Sequence, residues 1–452
     1  MFLSLTAIRL ATALIPAKRI RRKVRDRLMS AARDRRLRRL VPAVFRRYAA
    51  HEAECRAKLE RGERLRVAFL VCDASMFSAE PVFLKMRDDA RFECFIAVVP
   101  RVSRGEAFLR ETYAKTIGTL LPRYGEAVRP LYNPATKKCE RLDGRADIVF
   151  TSILYEDQAP GGFTVERISR YALTAVISYG YGGLFKSNVR TTIFLPNIIL
   201  AWRYMLSNRP TYDEWLRRNP LLGRTAAVCG YAKMDRYART AQEAAASPWT
   251  RKRILICPHH SIETDTDGLR LSSFLRFADF FLRLPELRPD VDFIFRPHPL
   301  LFPRLRTAKW WGEKRTAEYE RKMKSFPNVE FQRGGDYFRT FAESDALIHD
   351  CGSFLAEYFY TGKPQCYLLA DPAVAEREFL PFGKKLLDAS YKAANEDGIL
   401  AFIDGAASGI EPPAAKEARG RAAREVCVNH PDAAAAVVRT VVDGIQNGGG
   451  HD

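Results

Sequence analysis

Apolar residues recur in two rhythms along this chain, and the rhythm changes near residue 65. Upstream, Leu3, Ala7, Leu10 and Leu14 fall at helical spacing. A second stripe, Leu37, Leu40, Val41 and Val44, sits among Arg35, Arg36, Arg38, Arg39, Arg46 and Arg47. Side chains three and four apart share a helix face, so both stretches predict amphipathic helix, the second kinked or ended by Pro42. Downstream come short apolar runs at 66–72, 92–99, 146–150, 173–178, 224–230, 253–257, 291–295, 329–332, 346–348 and 365–369. Helical segments such as 80–88 and 269–284 lie between them. Runs of this length alternating with helices predict βαβ units and a parallel sheet.

A chain of 452 residues is too long for one ordinary core and predicts two domains of roughly 150–220 residues each. The pattern divides into an arm at 1–62, an α/β domain at 63–215 and a second at 216–446 with C-terminal helices. The crossover is expected near 205–225, and the Ala-rich 241–247 reads as a surface linker. The apolar stretch 194–205 is either a core helix or a face for a lipid-like acceptor.

Charge changes the picture of the arm alone. Residues 1–66 hold 20 Lys/Arg against 6 Asp/Glu, a surplus of 14 out of the net +20. An apolar stripe flanked by dense cations suits the headgroup layer of an anionic leaflet. A coil-forming basic tail and an organelle transit peptide are the competing readings. The membrane reading expects the arm to be separable from a folded body that survives removal of residues 1–50. No aromatic-interleaved basic patch continues into the body, so no nucleic acid is expected. The nine cysteines form no C-x-x-C pair, which fits a reducing compartment and predicts neither a disulfide framework nor a zinc site.

Polar clusters close three strands of the second series: Pro258-His259-His260-Ser261, Arg296-Pro297-His298-Pro299 and His349-Asp350-Cys351-Gly352-Ser353. Ligands of open α/β sheets bind at that edge. Arg296 offers a fork to phosphate oxygens, and His298 offers an N–H donor or a proton. Backbone N–H groups at Cys351, Gly352 and Ser353, where a helix begins, suit a diphosphate. Asp350 either caps that helix or meets substrate, and His349 is a further candidate base. Glu357, one turn along, is positioned to accept from ribose hydroxyls. The loop Tyr179-Gly180-Tyr181-Gly182-Gly183 closes a strand of the first series; it is either a ligand loop or a plain tight turn.

Gly230-Tyr231-Ala232-Lys233-Met234-Asp235, 254–258, Phe295-Arg296-Pro297-His298-Pro299 and 344–353 with Gly362-Lys363-Pro364 follow in an order that resembles the CDP-glycerol glycerophosphotransferase family. Members of that family build teichoic acids and related capsules. The resemblance implies a GT-B-like fold: two Rossmann-like domains facing a cleft, acceptor on the first, nucleotide on the second, here with a basic N-terminal helical arm. It further implies transfer of a polyol phosphate from a CDP-activated donor to a polysaccharide or lipid-linked acceptor. Release of CMP and peripheral attachment to the cytoplasmic face of the membrane follow from it; no cofactor is expected, and the lack of a metal-ligating cluster in the sequence predicts no essential metal. His298 takes the place of the family's Arg-Pro-His-Pro histidine. Arg296, Gly230, Pro258, His259, Cys351, Gly352, Ser353 and Glu357 become donor-binding candidates. Two positions depart from the pattern. Cys351-Gly352 replaces Tyr-Ser, and Tyr179 stands where the family carries a histidine base. An unperturbed tyrosine, with a pKa of about 10, is a poor base near neutrality. Tyr179 and Asp350 stand beside His298 as catalytic candidates. A GT-B glycosyltransferase using a nucleotide sugar and a silent capsule-assembly subunit are the alternatives.

Overall fold

A computed structural model describes residues 12–13, 18–244, 250–263 and 269–448. Leu3, Ala7, Leu10 and Leu14 and residues 245–247 of the expected 241–247 linker lie outside them; residues 241–244 are not linker but the end of the helix Asp235–Ala244. The first sheet holds β1 (Leu65–Val71), β2 (Phe92–Val98), β3 (Val128–Pro130), β4 (Ile148–Thr151), β5 (Leu173–Ile177), β6 (Arg203–Leu206) and β7 (Ala226–Val228). Its order is β3-β2-β1-β4-β5-β6-β7, parallel throughout. The second sheet holds β8 (Arg253–Cys257), β9 (Asp292–Phe295), β10 (Val329–Phe331), β11 (Ala346–His349), β12 (Gln365–Leu368) and β13 (Tyr391–Ala393). Its order is β10-β9-β8-β11-β12-β13, again parallel. Strands such as Leu173–Ile177 and Arg253–Cys257 are buried at every position, as a sheet covered by helices on both faces requires. The order of strand addition in the second sheet reverses between the parallel neighbours β8 and β11, where Cys257 pairs in register with His349. That reversal opens the ligand crevice of a doubly wound sheet.

Two boundaries differ from the pattern-based expectation. The 224–230 run does not start the second lobe; it forms β7, the edge of the first sheet, paired with β6. The crossover therefore follows Val228 rather than lying at 205–225. The C-terminal helix Ala433–Asn447 returns to the first lobe, where Val437, Val441 and Ile445 join its core. Asp235 accepts from the backbone N–H groups of Ala433 (3.3 Å) and Ala434 (2.7 Å), capping that helix from the crossover segment. Within 194–205, Ile198, Ile199, Leu200 and Trp202 are all buried, so the stretch is core and presents no lipid face.

The arm is corrected most. Lys18–Glu60 is one continuous helix with an exposed Pro42 inside it. Leu37, Val41, Val44, Phe45, Tyr48 and Cys55 are buried in the core of the first lobe. Tyr48 Oη donates to Leu200 O (2.8 Å), and Trp202 Nε1 donates to Glu52 Oε1 (2.5 Å). The helical stripe is real, but from Leu37 onward its apolar partner is the protein. Among the described residues no helix is long and apolar enough to cross a membrane.

Candidate functional site

The three polar clusters meet at the C-terminal edge of β8, β9 and β11, knitted together by their own backbones. His298 N donates to Pro258 O (3.0 Å), joining the loops after β9 and β8. Asp350 has no exposed surface and accepts from His259 N (2.5 Å) and Ser273 N (2.6 Å). Burial pushes its carboxyl up to about 7. Its oxygens are turned to loop N–H groups, so Asp350 neither caps the following helix nor faces a substrate; it braces the loop after β8. His349 is equally hidden. Its Nδ1 accepts from Cys351 N (3.2 Å), which leaves the proton on Nε2 to donate to Gln365 Oε1 (3.0 Å). Both nitrogens are used, so His349 is a structural residue and not a substitute base.

Cys351 contributes less than expected to an anion cradle. Its N–H is taken by His349, and its thiol donates to Cys257 O (3.0 Å) while burial holds the thiol well above its ordinary pKa. The next three N–H groups, of Gly352, Ser353 and Phe354, make no hydrogen bond among the described residues. The Ser353 hydroxyl makes no capping bond either. Consecutive unspent donors of this kind form a concavity for anions. The helix behind them is short, Phe354–Glu357, continuing as a tighter 3₁₀ turn to Thr361, where Gly362 adopts φ 69° and ends it. The local N–H groups, more than a long macrodipole, supply the field.

His259, His260 and His298 cluster beside this turn, with ring centroids 4.2 to 5.2 Å apart. Their ligand atoms lie within 4.8 Å of one another, a spacing that admits a metal ion. The hydrogen bonds favour another use. Nδ1 of His298 accepts from Leu300 N (3.1 Å), and Nδ1 of His259 accepts from Ser261 N (3.3 Å). A backbone N–H can only donate, so in each neutral ring the proton sits on Nε2, as a donor rather than a metal ligand. Burial first, then neighbouring His260 and Arg304, push His298 down to about 3; burial likewise holds His259 far below its ordinary range. Both are uncharged N–H donors at neutral pH.

Arg296, Glu357 and Gly230 are also committed within the protein. The Arg296 guanidinium donates to Gln332 Oε1 and Gly335 O (both 2.7 Å), fixing the loop after β10 instead of presenting an open phosphate fork. Glu357 is buried, and Tyr337 Oη donates to its Oε2 (2.5 Å). The Tyr231 hydroxyl proton is shared between Glu357 Oε1 (3.1 Å) and Tyr179 O (3.2 Å). A ribose would have to displace these tyrosines to reach it. Gly230, at φ 91°, lies so near Val428 that a Cβ would come within 2.1 Å of its carbonyl, so close chain packing accounts for the glycine.

The glycine-rich loop faces the turn. A Cβ on Gly180 would lie 3.3 Å from Ser353 Oγ, and one on Gly352 would lie 3.3 Å from the Phe185 ring. Tyr179 is partly exposed on this loop. Sequence reasoning passed over Lys233, which sits 4.0 Å from Glu357 Oε1 and over the Tyr337 ring, although it lies inside a quoted motif. His260, placed above in the strand-end cluster without a role of its own, completes the imidazole cluster.

No protein-family model matches the sequence, and no curated protein matches it. The fold is similar to UDP-GlcNAc 2-epimerase from Neisseria meningitidis bound to UDP-GlcNAc, at 12% identity and TM-score 0.55 over 84% of this chain and 100% of that one. It is similar to S. aureus MnaA with UDP, at 13% and 0.51 over 85% and 96%. It is also similar to the wall teichoic acid polymerase TagF soaked with CDPG, at 13% and 0.53 over 93% and 98%. These likenesses establish the GT-B fold: two parallel-sheet α/β lobes facing a cleft.

Proposed function

We propose that this protein transfers a polyol phosphate, such as glycerol phosphate, from a CDP-activated donor to a hydroxyl of a polysaccharide or lipid-linked acceptor. The observation that carries the reading is the row of unspent N–H groups at Gly352, Ser353 and Phe354, with Ser353 Oγ, facing the Gly180 loop across the lobe junction. The acceptor oxygen bonds to the phosphorus bearing the polyol. The bond from that phosphorus to the bridging oxygen breaks, and CMP leaves with the bridging oxygen and its electron pair. The turn and the Nε2–H groups of His298 and His259 stabilise charge on the departing phosphate. A loose phosphoryl-transfer transition state asks little of a base, since the acceptor proton departs late. Tyr179 in place of a histidine is compatible with that demand, and it is the acceptor-side candidate. The likeness to the CDPG-soaked polymerase supports the donor class.

A nucleotide-sugar donor is the second reading, favoured by two similar folds whose structures hold UDP-GlcNAc or UDP. Incubation with CDP-glycerol, CDP-ribitol and nucleotide sugars, followed by ³¹P NMR, separates the two. CMP release supports the phosphotransferase. Release of a nucleoside diphosphate supports sugar transfer, and tight binding without turnover in the presence of acceptor marks a silent subunit. Ser353→Ala is expected to weaken CDP-donor binding about tenfold, the loss of one hydrogen bond to a charged group. We place the enzyme peripherally on the inner face of the membrane. The exposed Arg35, Arg38 and Arg46 opposite the buried Leu37 and Val41 support that placement.

A further inference from the structure

A cavity of about 750 Å³ opens beside the strand-end cluster, and its cations take no part in the cradle at Gly352–Phe354. The first lobe contributes Lys186 from the segment following the glycine-rich loop; the second contributes Arg270, Ser272, Arg276 and Arg377. The cavity's carboxylates, Asp371 and Glu378, both pair with Arg377, at 3.2 and 2.8 Å. Lys186 Nζ and Arg276 Nη1 donate to the backbone carbonyls of Glu376 (2.7 Å) and Ala370 (3.0 Å), partners that leave their charge uncancelled. Arg270 makes no ion pair within 4 Å among the described residues, although its charge acts with that of Arg377 on Asp371; four cations then face two carboxylates. The cavity is therefore a positively charged recess walled by both lobes, of the kind that concentrates anionic ligands.

Its wall is continuous with the site. Ser273 N donates to Asp350, and Leu271 N donates to Ser261 Oγ (3.0 Å), whose hydroxyl in turn bonds His259 Nδ1 (2.7 Å). Residues 271–273 are thus held to the imidazole cluster on one side and line the recess on the other. A chain resting in the recess lies next to the donor cradle without occupying it.

We propose that this recess is an acceptor subsite for an anionic glycan, one that carries phosphate or carboxylate groups along its chain. Lys186, Arg270 and Arg276 receive those groups while the terminal hydroxyl is presented toward the cradle. The word acceptor rests on the reading above; the anion site itself does not.

The test is calorimetric titration of the full-length protein with a short glycerol phosphate oligomer, with a neutral oligosaccharide of similar length as control and CMP as a separate probe. The double variant Arg270→Ala/Arg276→Ala is expected to lose affinity for the oligomer about tenfold or more while its CMP affinity is unchanged. Lys186→Ala is expected to show a smaller loss in the same direction. These positions are exposed, and unchanged melting temperatures confirm that the variants fold. Equal affinity for the neutral oligosaccharide overturns the proposal, as does undiminished oligomer binding by the double variant. Competition between the oligomer and CMP overturns a separate subsite. Arginine-dependent binding to phosphatidylglycerol vesicles without oligomer binding overturns it in favour of a lipid headgroup. Arginine-dependent oligomer binding by a protein that does not bind CMP upholds the recess and removes the CDP reading.

Discussion

Gly180 of the first lobe lies against Ser353 of the second, so close that a methyl group on Gly180 would come within 3.3 Å of the serine hydroxyl. The contact joins two loops more than 170 residues apart in sequence, each at the C-terminal edge of its own sheet. Gly180→Leu crowds the N–H groups of Gly352 and Ser353, where the proposed function seats the donor diphosphate. Donor affinity and turnover are expected to fall by at least about tenfold, which corresponds to about 1.4 kcal/mol. The melting temperature should change little, since Gly180 is half-buried and has no left-handed φ. Calorimetric CMP titration beside a thermal melt checks both halves; full donor affinity in Gly180→Leu would place the donor elsewhere.

Acid should unfold the second lobe through its buried imidazoles. His298 and His349 are both held down to about 3 by burial, against an ordinary value near 6.5. A depressed folded pKa means that the unfolded state binds the proton first. The stabilisation is therefore whole above about pH 6.5 and is lost as pH falls toward 3. Asp350 runs the other way: with its folded value raised to about 7, its contribution is present below about pH 4 and is lost as pH rises through 7. Urea midpoints measured from pH 7 down to 4 should decline, and His349→Gln should flatten the decline. An unchanged slope in that variant would contradict the assignment of His349 as a buried neutral ring.

Truncation should separate two parts of the long N-terminal helix. Removing residues 1–34 is expected to leave the melting temperature within a few degrees of the full chain and to weaken binding to anionic vesicles without abolishing it, since Arg35, Arg38 and Arg46 remain. Removing residues 1–50 deletes Leu37, Val41, Val44, Phe45 and Tyr48 from the first core. At about 1.5–3 kcal/mol for each buried side chain, that loss rivals the whole stability of a domain. The longer truncation should be insoluble or molten by near-UV circular dichroism. A well-folded 51–452 fragment would show that the helix is an appendage after all.

What the sequence disclosed divides along the reach of each interaction. Strands such as Leu65–Val71 and Ala346–His349 were legible because a buried parallel strand is a local apolar run. The strand-end clusters were legible because sheet topology sends them to one edge. The destination of an amphipathic face was not. Leu37 to Val44 and Val437 to Ile445 both read as helix, and nothing local tells a lipid, the nearer lobe or the farther lobe apart as the partner. Individual polar roles were hidden for a similar reason. Asp350, Cys351 and Glu357 carry the right groups for a ligand site, but the His259 N–H, the Cys257 carbonyl and the tyrosines that engage them arrive from other segments of the chain.

Glu357 provides the sharpest separation of a positioning role from direct donor contact. Its carboxylate holds Tyr337 on the second lobe and Tyr231 on the crossover, and Tyr231 in turn reaches the carbonyl of Tyr179 on the glycine-rich loop. Glu357→Gln keeps the size but exchanges one acceptor oxygen for an NH₂ group, so one tyrosine hydroxyl loses its partner in a buried site. The expected cost is about 1–3 kcal/mol of stability, and the loop bearing Tyr179 should loosen against the turn at Ser353. If the residue acts by position, turnover falls while CMP affinity changes less than about threefold, and hydrogen exchange at 179–183 accelerates. If instead the carboxylate holds the ribose directly, CMP affinity falls in parallel with turnover and exchange in the loop is unchanged. Measuring both quantities on Glu357→Gln decides between the two roles, and Tyr231→Phe, which removes only the hydroxyl shared with Tyr179 O, should reproduce the loop exchange without touching a ribose contact.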